Sequence, residues 1–567
     1  MTAMSAISRR RAGAAFLLAS VLWVTGSGRM AAAEDTAPAT PPEATCPPAT
    51  PDFADPLGTP HWNGWGVGPA QHRFQPADMA QLAPGDVPRL KLKWAFGIAG
   101  ASRAFAQPTV MGGRIFFGGQ NGKVYSLDAK SGCIHWQIDA GAAVRAAIVI
   151  GKDDAGWRAY FGDAHGDVHA VDAITGKALW TTHVDDHLAA RITGAPTLAG
   201  TTLFVPVSST EEFRAMDPHY PCCSFRGSIV ALAASTGARL WKSYTIAQEP
   251  KPGPTNSAGV QLSGPAGAAV WSAPTFDAAK GMIYATTGDN YSDPTSDTSD
   301  AVLAFNAASG ELVWSRQMTA GDAYNMGCNG RSAGNCPQSR GSDFDFGASA
   351  VLAELAGGKR VLIGAQKSGV VTALDPDRGG EIVWQKRVGR GGALGGVMWG
   401  PATDGVKIYV AVSDVKISAV APGTPGAQTT QLDPRLAFLL DNAAGGGLHA
   451  LRLDTGEEVW QTPHPGCHDV PGCSPAQSAA VTAMPGIVFS GGLDGHLRAY
   501  AADDGRIVWD VDTKGDHPTV NGVAAHGGSI DGPGPVVVGG MLYVNSGSAF
   551  YGTIPGNALL AYSVDGR

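Results

Sequence analysis

A short pattern that recurs along the chain constrains its fold more than any other feature of the sequence. A segment of alternating apolar and polar residues runs into a turn, and Gly-x-x-x-Trp follows. Alternation with a period of two indicates strands, and two strands joined by a glycine-containing turn form a hairpin. Seven complete copies end at Trp136, Trp180, Trp241, Trp314, Trp384, Trp460 and Trp509.

The two ends of the chain carry the halves of an eighth copy. LLAYSVDG, from Leu559, has the first strand and the turn but no following Trp, and LKLKWAF, which holds Trp94, has the Trp strand alone. Pairing these halves closes a ring that has no free sheet edge. The sequence therefore predicts an all-β fold, an eight-bladed β-propeller of four-stranded antiparallel blades closed by pairing of its N- and C-terminal strands. The alternative, an open solenoid, would leave both half-copies unpaired.

The spacing of the tryptophans shows where loops are inserted. The first two intervals, from Trp94 to Trp180, are 42 and 44 residues, the next four are 61, 73, 70 and 76, and the last is 49. The shorter intervals fit a plain four-stranded blade. The longer blades must carry inserted loops, and loops held by a rigid scaffold often carry binding residues. The regular position of the tryptophans themselves indicates packing between blades.

The N-terminal region has the features of an export signal. Arg9–Arg11 precede the apolar stretch GAAFLLASVLWV, which is too short to span a bilayer, and Ala31–Ala33 offer a small-residue cleavage site. We therefore predict a signal peptide at residues 1–33 and a periplasmic protein, with a membrane anchor as the alternative. Residues 34–60 are rich in Pro, Ala and Thr and predict a linker or loosely wrapped tail. The propeller is predicted over residues 61–567.

Charge and cysteine content narrow the possible partners. The net charge is −8, and removal of residues 1–33 would take away four arginines and no acids. An acidic chain argues against nucleic acid and anionic membranes and allows a basic partner protein. Eight cysteines in an exported chain suggest disulfides. With other connectivities left open, the spacing favours Cys328–Cys336 and Cys467–Cys473 as short-loop pairs, which would leave Cys46 and Cys133 to each other.

Three further segments carry a family resemblance: HWNGWGVGPAQHRFQ, YPCCSFRGSIVAL and TTGDNYSD. Together with the repeat, they resemble the pyrroloquinoline quinone (PQQ)-dependent quinoprotein alcohol dehydrogenases, and within that family its polyvinyl alcohol dehydrogenase branch. The resemblance covers residues 61–567. It implies oxidation of secondary alcohol groups, with PQQ and Ca²⁺ as cofactors and a soluble cytochrome c as electron acceptor.

The resemblance also assigns the site residues. In WSAPTFD, the Trp would stack on one face of the quinone, and in FDF the Asp would be the catalytic residue. Cofactor contacts are implied for Arg145, Glu212, Trp271, Lys367 and Trp399. Metal binding is implied for Glu212, Asp289, Asn290 and Asp345. Lanthanide-using members carry a second Asp two residues after the catalytic one; here that position is Gly347, which favours calcium.

These residue types suit the implied chemistry. A carboxylate beside the substrate hydroxyl can act as a general base, the role expected of Asp345. A hard divalent cation prefers oxygen ligands, and Lys367 would add positive charge where negative charge develops. Each residue also has a structural alternative. Asp345 would cap a turn, Trp271 would be core, Lys367 would lie on the surface, and one of Glu211 and Glu212 would be a solvated charge. Asp289 and Asn290 would simply make a turn.

Cys222 and Cys223 are adjacent in the chain. We predict a vicinal disulfide that lies on the cofactor face opposite Trp271, because strained local geometry is most often kept at functional sites. The family's own cysteine pair comes earlier in the chain, near Arg145. The alternative is that each thiol pairs elsewhere or stays free.

Two alternative functions remain at this stage. The first is a non-catalytic propeller that serves as a scaffold for protein assembly, since scaffolds share this repeat. The second is a quinoprotein for primary alcohols or sugars. The sequence contains no Cys-x-x-Cys-His for covalent haem, and no Gly-x-Gly-x-x-Gly follows a strand and opens a helix. The electrons are therefore expected to leave to a separate carrier.

Overall fold

The computed structural model describes residues 44–47, 53, 55–329, 334–424, 427–429, 437–467, 473–548 and 552–566. The predicted signal peptide lies outside these residues. The described residues form eight four-stranded antiparallel sheets, arranged as the blades of a β-propeller. The predicted fold class is thus confirmed. We number the blades 1 to 8 in chain order, and in each the first strand is innermost.

The first four blades contain the following strands. Blade 1 consists of Thr109–Met111, Arg114–Gly118, Lys123–Asp128 and Ile134–Asp139, and blade 2 of Val149–Asp153, Gly156–Gly162, Asp167–Asp172 and Ala178–His183. Blade 3 consists of Thr197–Ala199, Thr202–Ser209, Ser228–Ala233 and Arg239–Tyr244, with Ala190–Arg191 added beside its second strand. Blade 4 consists of Thr275–Asp277, Met282–Thr286, Ala301–Asn306 and Leu312–Gln317.

The other four blades follow the same order. Blade 5 consists of Val351–Glu354, Arg360–Ala365, Val370–Asp375 and Glu381–Arg387, and blade 6 of Ala402–Thr403, Lys407–Ala411, Gly447–Arg452 and Glu458–Pro463. Blade 7 consists of Thr482–Met484, Ile487–Gly491, His496–Ala501 and Ile507–Asp512. Blade 8 consists of Val536–Val538, Met541–Ser546, Ala558–Ser563 and, from the other end of the chain, Lys91–Gly97.

Blade 8 joins the two ends of the chain. Lys91–Gly97 pairs antiparallel with Ala558–Ser563, and Phe96 lies opposite Leu559. Apart from the half-buried Leu92, the apolar side chains of both strands are buried on the core side. The outer strand of this blade therefore comes from the start of the propeller and its three inner strands from the end.

Short elements outside the blades belong mainly to the inserted loops. The strand pairs are Lys251–Thr255 with Gln261–Gly264, Ala266–Gly267 with Asn290–Ser292, and Gly515–His517 with Ala525–Gly527. Ile417–Val420, Gln428–Thr429 and Ala437–Leu440 form a three-stranded sheet. The helices are Ala77–Ala80 and Glu211–Arg214, with 3₁₀ turns at Val87–Arg89, Met326–Asn329 and Pro376–Arg378. Among the described helices, none has both the length and the apolar character needed to cross a membrane.

The Gly-x-x-x-Trp pattern fastens neighbouring blades together. Trp384 of blade 5 donates from Nε1 to the carbonyl of Leu453 at 3.1 Å, and its ring packs against Gly456 of blade 6. A methyl group at Gly456 would lie 2.5 Å from the Trp384 ring, so only glycine allows this approach. The same contact recurs between Trp94 and Gly132, Trp136 and Gly176, Trp180 and Gly237, Trp241 and Gly310, Trp314 and Gly380, and Trp460 and Gly505.

A single segment, residues 61–75, touches the innermost strand of every blade; we call it the hub segment. Its hydrogen-bond partners in blades 1 to 8, in order, are Val110, Ile150, Thr197, Phe276, Leu352, Thr403, Ala483 and Val537. Arg73 is fully buried in it, with its guanidinium 5.0 Å from the Trp65 ring centroid. The segment therefore occupies the middle of the ring.

All eight cysteines are paired in the structure: Cys46–Cys133, Cys222–Cys223, Cys328–Cys336 and Cys467–Cys473. The connectivity favoured by the spacing is thus confirmed. The first of these bonds ties the tail to blade 1, where Thr45 also bridges to Ile134. Phe53 is buried against Phe116 and Trp157. The described parts of the tail are therefore attached to the propeller.

Candidate active site

One end of the propeller holds a cavity of about 260 Å³ on the ring axis. Two recurrent positions supply most of its polar lining. One is the segment just before the innermost strand of a blade, which places Arg145, Trp271 and Asp345. The other is the turn after the second strand, which places Asp289 and Lys367. The repeat thus brings residues that are far apart in sequence to one place.

Three aspartates and a lysine form the polar centre of the cavity. Carboxylate oxygens of Asp289, Asp343 and Asp345 lie within 4.8 Å of one another. Lys367 Nζ donates to Asp343 Oδ1 at 2.7 Å and to Asp345 Oδ2 at 2.8 Å. The backbone N–H of Asp289 donates to Asp345 Oδ1 at 2.6 Å. The lysine therefore offsets only part of a concentrated negative charge.

A fourth carboxylate, Glu212, also lines the cavity. Burial raises its pKa to about 7, Lys367 opposes that shift, and Asp345 adds to it. The pKa of Asp289 is raised well above its usual range, chiefly by burial and then by Asp345 and Asp343. Asp289 Oδ2 is buried and has no hydrogen-bond partner within the described part of the chain. A group of buried oxygens whose charge is incompletely balanced is the kind of donor set that a hard cation prefers.

Trp271 presents a flat ring to the cavity, and glycines make room for it. A methyl group at Gly347 would lie 2.2 Å from the Trp271 ring, and one at Gly288 would lie 2.8 Å from Asp345 Oδ1. Gly347 is therefore a packing position. Trp399 stands edge-on to Trp271, with ring centroids 5.3 Å apart at 86°. The alternative that Trp271 is only core is wrong, because its half-buried ring lines the cavity.

A cationic side of the cavity lies next to Trp399. The guanidinium of Arg145 is 4.5 Å from the Trp399 ring centroid, and Trp399 Nε1 donates to Asp531 Oδ1 at 2.7 Å. Burial lowers the pKa of Arg145 to about 10, a shift that Asp531 opposes and Arg103 increases. One terminal nitrogen of Arg145 is buried without a hydrogen-bond partner among the residues described. Arg103 also lines this side, so the cavity offers two cations to an anionic group.

The structure decides two pairs of neighbouring candidates. Glu212 lines the cavity, whereas Glu211 is fully buried and accepts hydrogen bonds from the backbone of Ser224 and Phe225. The expectation that one glutamate is a solvated surface charge is therefore wrong. Asp289 lines the cavity, whereas the Asn290 side chain is used within its own loop. It donates to Ser299 and to the Asp322 carbonyl and accepts from Ser296. Asn290 is therefore not placed to bind a metal.

The vicinal disulfide is present, but its expected position on the cofactor face is not observed. Cys222 and Cys223 are buried in the core of blades 2 to 4, beside Phe225 and Tyr291. Of this group, Tyr291 reaches the cavity lining and the two cysteines do not. The bond follows a short inserted helix whose own residues already occupy that wall. The contact with the cofactor predicted for Cys222 and Cys223 is therefore corrected.

Three charged cavity residues escaped the sequence reasoning: Arg103, Asp343 and Asp531. Asp343 precedes Asp345 by two positions in SDFDFG, but its φ is +58°, so no regular strand spacing marks it. Asp322 holds the segment in place by accepting the backbone N–H groups of Asp343 and Phe344. Asp531 follows a glycine-rich loop and likewise has no local signal. The remaining predicted residues, Arg145, Glu212, Trp271, Asp289, Asp345, Lys367 and Trp399, all line the cavity.

Comparison with known proteins agrees with this geometry. Residues 62–333 match the PQQ family model, described as the glucose/ethanol/alcohol dehydrogenase β-propeller domain. Residues 444–567 match the model for the outer membrane protein assembly factor BamB. A polyvinylalcohol dehydrogenase of Pseudomonas sp. is 41% identical over 528 residues, covering 90% of this chain and 78% of that protein. One from Sphingopyxis sp. (strain 113P3) is 39% identical over 527 residues, covering 89% and 77%.

Solved structures share the fold at lower identity. The quinohemoprotein alcohol dehydrogenase ADHIIG of Pseudomonas putida HK5 superposes with a TM-score of 0.64 at 19% identity, covering 90% of this chain and 81% of that one. A europium-containing methanol dehydrogenase gives a TM-score of 0.62 at 18% identity, covering 89% and 98%. The chain belongs to the PQQ-dependent quinoprotein alcohol dehydrogenases. Its relatives at about 40% identity, by their names, are polyvinyl alcohol dehydrogenases. This identity over nine-tenths of the chain decides against the scaffold alternative.

The cavity fits a flat, anionic quinone. PQQ is planar and carries carboxylates, so it needs an aromatic surface and cations. Trp271 provides the surface, and the unpartnered nitrogen of Arg145 provides a free donor at the edge of the cavity. The unpartnered oxygen of Asp289 lies with the acids at the polar centre. These two unpartnered atoms thus each have a matching group on the cofactor or its metal.

Proposed function

We propose that this dehydrogenase oxidises secondary alcohol groups of polyvinyl alcohol in the periplasm, with Ca²⁺ beside PQQ and a separate cytochrome c as acceptor. The observation that carries the proposal is the cluster of four carboxylates and one lysine, set in a cavity with an aromatic floor. The two relatives at about 40% identity are named for this polymer and support the substrate. Four disulfides and the signal-like residues 1–33 support export.

The cation would be held by oxygens of Glu212, Asp289, Asp343 and Asp345. Three of these carboxylates already converge within 4.8 Å, and hard cations take six to eight oxygen ligands. PQQ supplies the hydride acceptor when it is bound. The sequence analysis did not identify Asp343. The site therefore holds four carboxylates where the calcium expectation assumed three, and a trivalent ion must be included in the test.

Asp345 is proposed to accept the proton of the substrate hydroxyl. Its Oδ1 is fixed by the Asp289 backbone and its Oδ2 by Lys367, so the carboxylate is held in one orientation. Lys367 keeps its charge because Asp343 and Asp345 raise its pKa well above the usual range, against the effect of burial. A permanent cation at this point stabilises negative charge that develops on oxygen. Trp271 and Arg145 would orient the ring on which the reaction depends.

Apolar side chains also line the cavity and support a substrate with methylene groups on both sides of its carbinol. They are Phe105, Phe213, Ala269, Leu394 and Met398. Such side chains remove apolar surface from water without offering hydrogen bonds. A sugar, which carries a hydroxyl on nearly every carbon, would leave those hydroxyls unpaired there.

The test is reconstitution of chelator-treated protein. We expect no alcohol oxidation without additions, and recovery with PQQ plus Ca²⁺ in the presence of a dye acceptor. Polyvinyl alcohol and 2,4-pentanediol should exceed ethanol and glucose in kcat/KM, whereas the reverse order would favour the alternative of primary alcohols or sugars. Recovery with La³⁺ and not with Ca²⁺ would replace the metal and leave the rest intact. Activity that needs neither metal nor quinone would end the proposal.

A further inference from the structure

Glu211 lies next to a proposed metal ligand but turns away from the cavity. Its side chain is fully buried. Oε1 accepts the N–H of Ser224 at 2.9 Å and the hydroxyl of Tyr220 at 3.0 Å, and Oε2 accepts the N–H of Phe225 at 2.8 Å. His187 Nε2 lies 3.5 Å from Oε1. A buried carboxylate with this many donors is well satisfied and strongly oriented.

The bonds of Glu211 join two parts of the cavity wall. On one side, the helix Glu211–Arg214 carries Glu212 and Phe213, both of which line the cavity. On the other side, Phe225 stacks on Tyr291 with ring centroids 6.4 Å apart, and Tyr291 also lines the cavity.

The vicinal disulfide immediately precedes the donors of Glu211. Cys222 and Cys223 hydrogen-bond through their backbones to Ser263 of an inserted hairpin, so the strip that contains the donors is held from its other side. The segment that carries the N–H groups of Ser224 and Phe225 is therefore restrained from moving away from Glu211.

We propose that Glu211 is a positioning residue: it fixes the helix that carries Glu212 against the strip that follows the vicinal disulfide, and so sets the geometry of the metal site. The disulfide then supports the site indirectly, through the segment that bonds Glu211, because it does not line the cavity itself. The helix has only four residues and two of its side chains face the cavity, so tertiary bonds must hold it. This inference rests on the proposed function, because it needs a cation at Glu212.

The test compares Glu211→Gln with a matched control. Gln keeps the size, but its amide nitrogen must face one of the two backbone N–H donors. Asp277 offers the control, since it is also buried and also accepts two backbone N–H groups, from Ala279 and Lys280, and a tyrosine hydroxyl, from Tyr284. It also pairs with Arg360, so its substitution should cost at least as much stability. It sits at the far end of the innermost strand of blade 4 and does not line the cavity.

Calcium binding to the chelator-treated full chain with PQQ added is measured by titration calorimetry, with thermal unfolding in parallel. For Glu211→Gln we expect about 10–100-fold weaker Ca²⁺ binding, the usual cost of losing a residue that orients a ligand. Asp277→Asn should lower the Tm and leave the affinity unchanged. Tyr220→Phe removes one donor only, so it should weaken Ca²⁺ binding less, and it carries the test if Glu211→Gln does not fold.

Two outcomes overturn the inference alone: wild-type Ca²⁺ affinity in both Glu211→Gln and Tyr220→Phe, or an equal loss in Asp277→Asn. Absence of binding by the wild-type chain, with La³⁺ titrated as well, instead overturns the proposed metal site, and the positioning role falls with it.

Discussion

Two aspartates separated by one residue, Asp343 and Asp345, share the ammonium group of Lys367. Both aspartates contact the lysine at similar distances, so their other hydrogen-bond partners decide which of them is assigned as the general base. Asp345 also accepts a hydrogen bond from the backbone N–H of Asp289. Asp343 accepts no such bond from the turn that carries Asp289. Asp345 is thus the better-fixed carboxylate, and Asp343 is better suited to holding a cation.

The two aspartates therefore should differ in kinetics. Asp345→Asn keeps the size and removes the charge, and we expect turnover to fall by about 10²–10⁴-fold, the range for loss of a general base. The matched variant Asp343→Asn should weaken Ca²⁺ binding more than it lowers kcat at saturating PQQ and Ca²⁺. Steady-state kinetics and calcium titration of both variants check this. The reverse pattern would assign the base to Asp343.

A second prediction concerns pH and the calcium-free protein. Burial raises the pKa of Glu212 to about 7 and raises those of Asp289 and Asp343 as well. The folded chain therefore holds protons that the unfolded chain has released, so its stability falls as pH rises from the ordinary value for Glu, 4.5, to about 7. Calcium must displace these protons, so its affinity should rise between about pH 6 and pH 8.

Calorimetry in buffers of different ionisation enthalpy measures the protons released on calcium binding. Glu212→Gln removes one of these groups and should flatten the pH dependence of the Tm in the calcium-free protein. A pH-independent affinity with no proton release would contradict the raised pKa values.

Sequence reasoning found most of the site because family motifs mark residues such as Trp271 and Lys367 directly. It misjudged residues whose role depends on which way a loop turns. Glu212, the predicted ligand, lines the cavity, but the burial of Glu211 depends on one helical turn, and whether Cys222 and Cys223 reach the cavity depends on how three inserted loops pack. Neither is encoded in local spacing. The fold, in contrast, follows from a period of two and a repeated turn, which are local properties.

At the scale of the repeating element, the pairing of Trp384 with Gly456 explains why the pattern is Gly-x-x-x-Trp. The Gly belongs to one blade, and the Trp it contacts belongs to the blade before. Each hairpin thus presents a tryptophan to the next blade and a bare backbone to the previous one. Within one hairpin, the Gly lies in the turn and the Trp lies four residues later in the strand that follows. The hairpin therefore contacts both neighbouring blades.

A pair of glycine variants tests this contact. Gly456 and Gly405 both have a positive φ, 71° and 86°, so alanine strains either backbone by about 1 kcal/mol. Only at Gly456 would the new methyl group also meet a tryptophan ring, since Gly405 has open space. We expect Gly456→Ala to lose about 1–3 kcal/mol more than Gly405→Ala, measured by denaturant unfolding. Equal losses of stability in the two variants would show that the tryptophan ring moves aside at no cost in free energy.

On the scale of the whole molecule, the pairing of Lys91–Gly97 with Ala558–Ser563 decides whether the blades form a ring. These strands are separated by nearly the entire propeller. Without the second strand, the first has no neighbour in blade 8, and an open edge appears on each side of the gap. Closure and completion of the fold are therefore one event.

Two truncations separate closure from general shortening. Removal of residues 557–567 takes away the strand beside Lys91–Gly97, and we expect loss of the cooperative thermal transition. Removal of residues 565–567 leaves that strand and gives up mainly the surface ion pair of Lys93 with Asp565, a loss of at most about 1 kcal/mol. Calorimetry of both forms checks this. A cooperative transition in the longer truncation would mean that closure is dispensable.

The hub segment has a consequence for how a long polymer could be handled. It crosses the middle of the ring and bonds to all eight innermost strands, and Trp65 borders the small void beneath Trp271. Within the residues that the structure describes, the hub segment therefore blocks the ring axis, and a polymer could not be drawn along that axis as through a pore. If polyvinyl alcohol is the substrate, as proposed above, each oxidation would begin with a bend of the polymer that enters the cavity and would end with its withdrawal. Successive oxidations of one polymer chain would then fall at scattered positions, whereas an enzyme that threads its substrate would oxidise consecutive units.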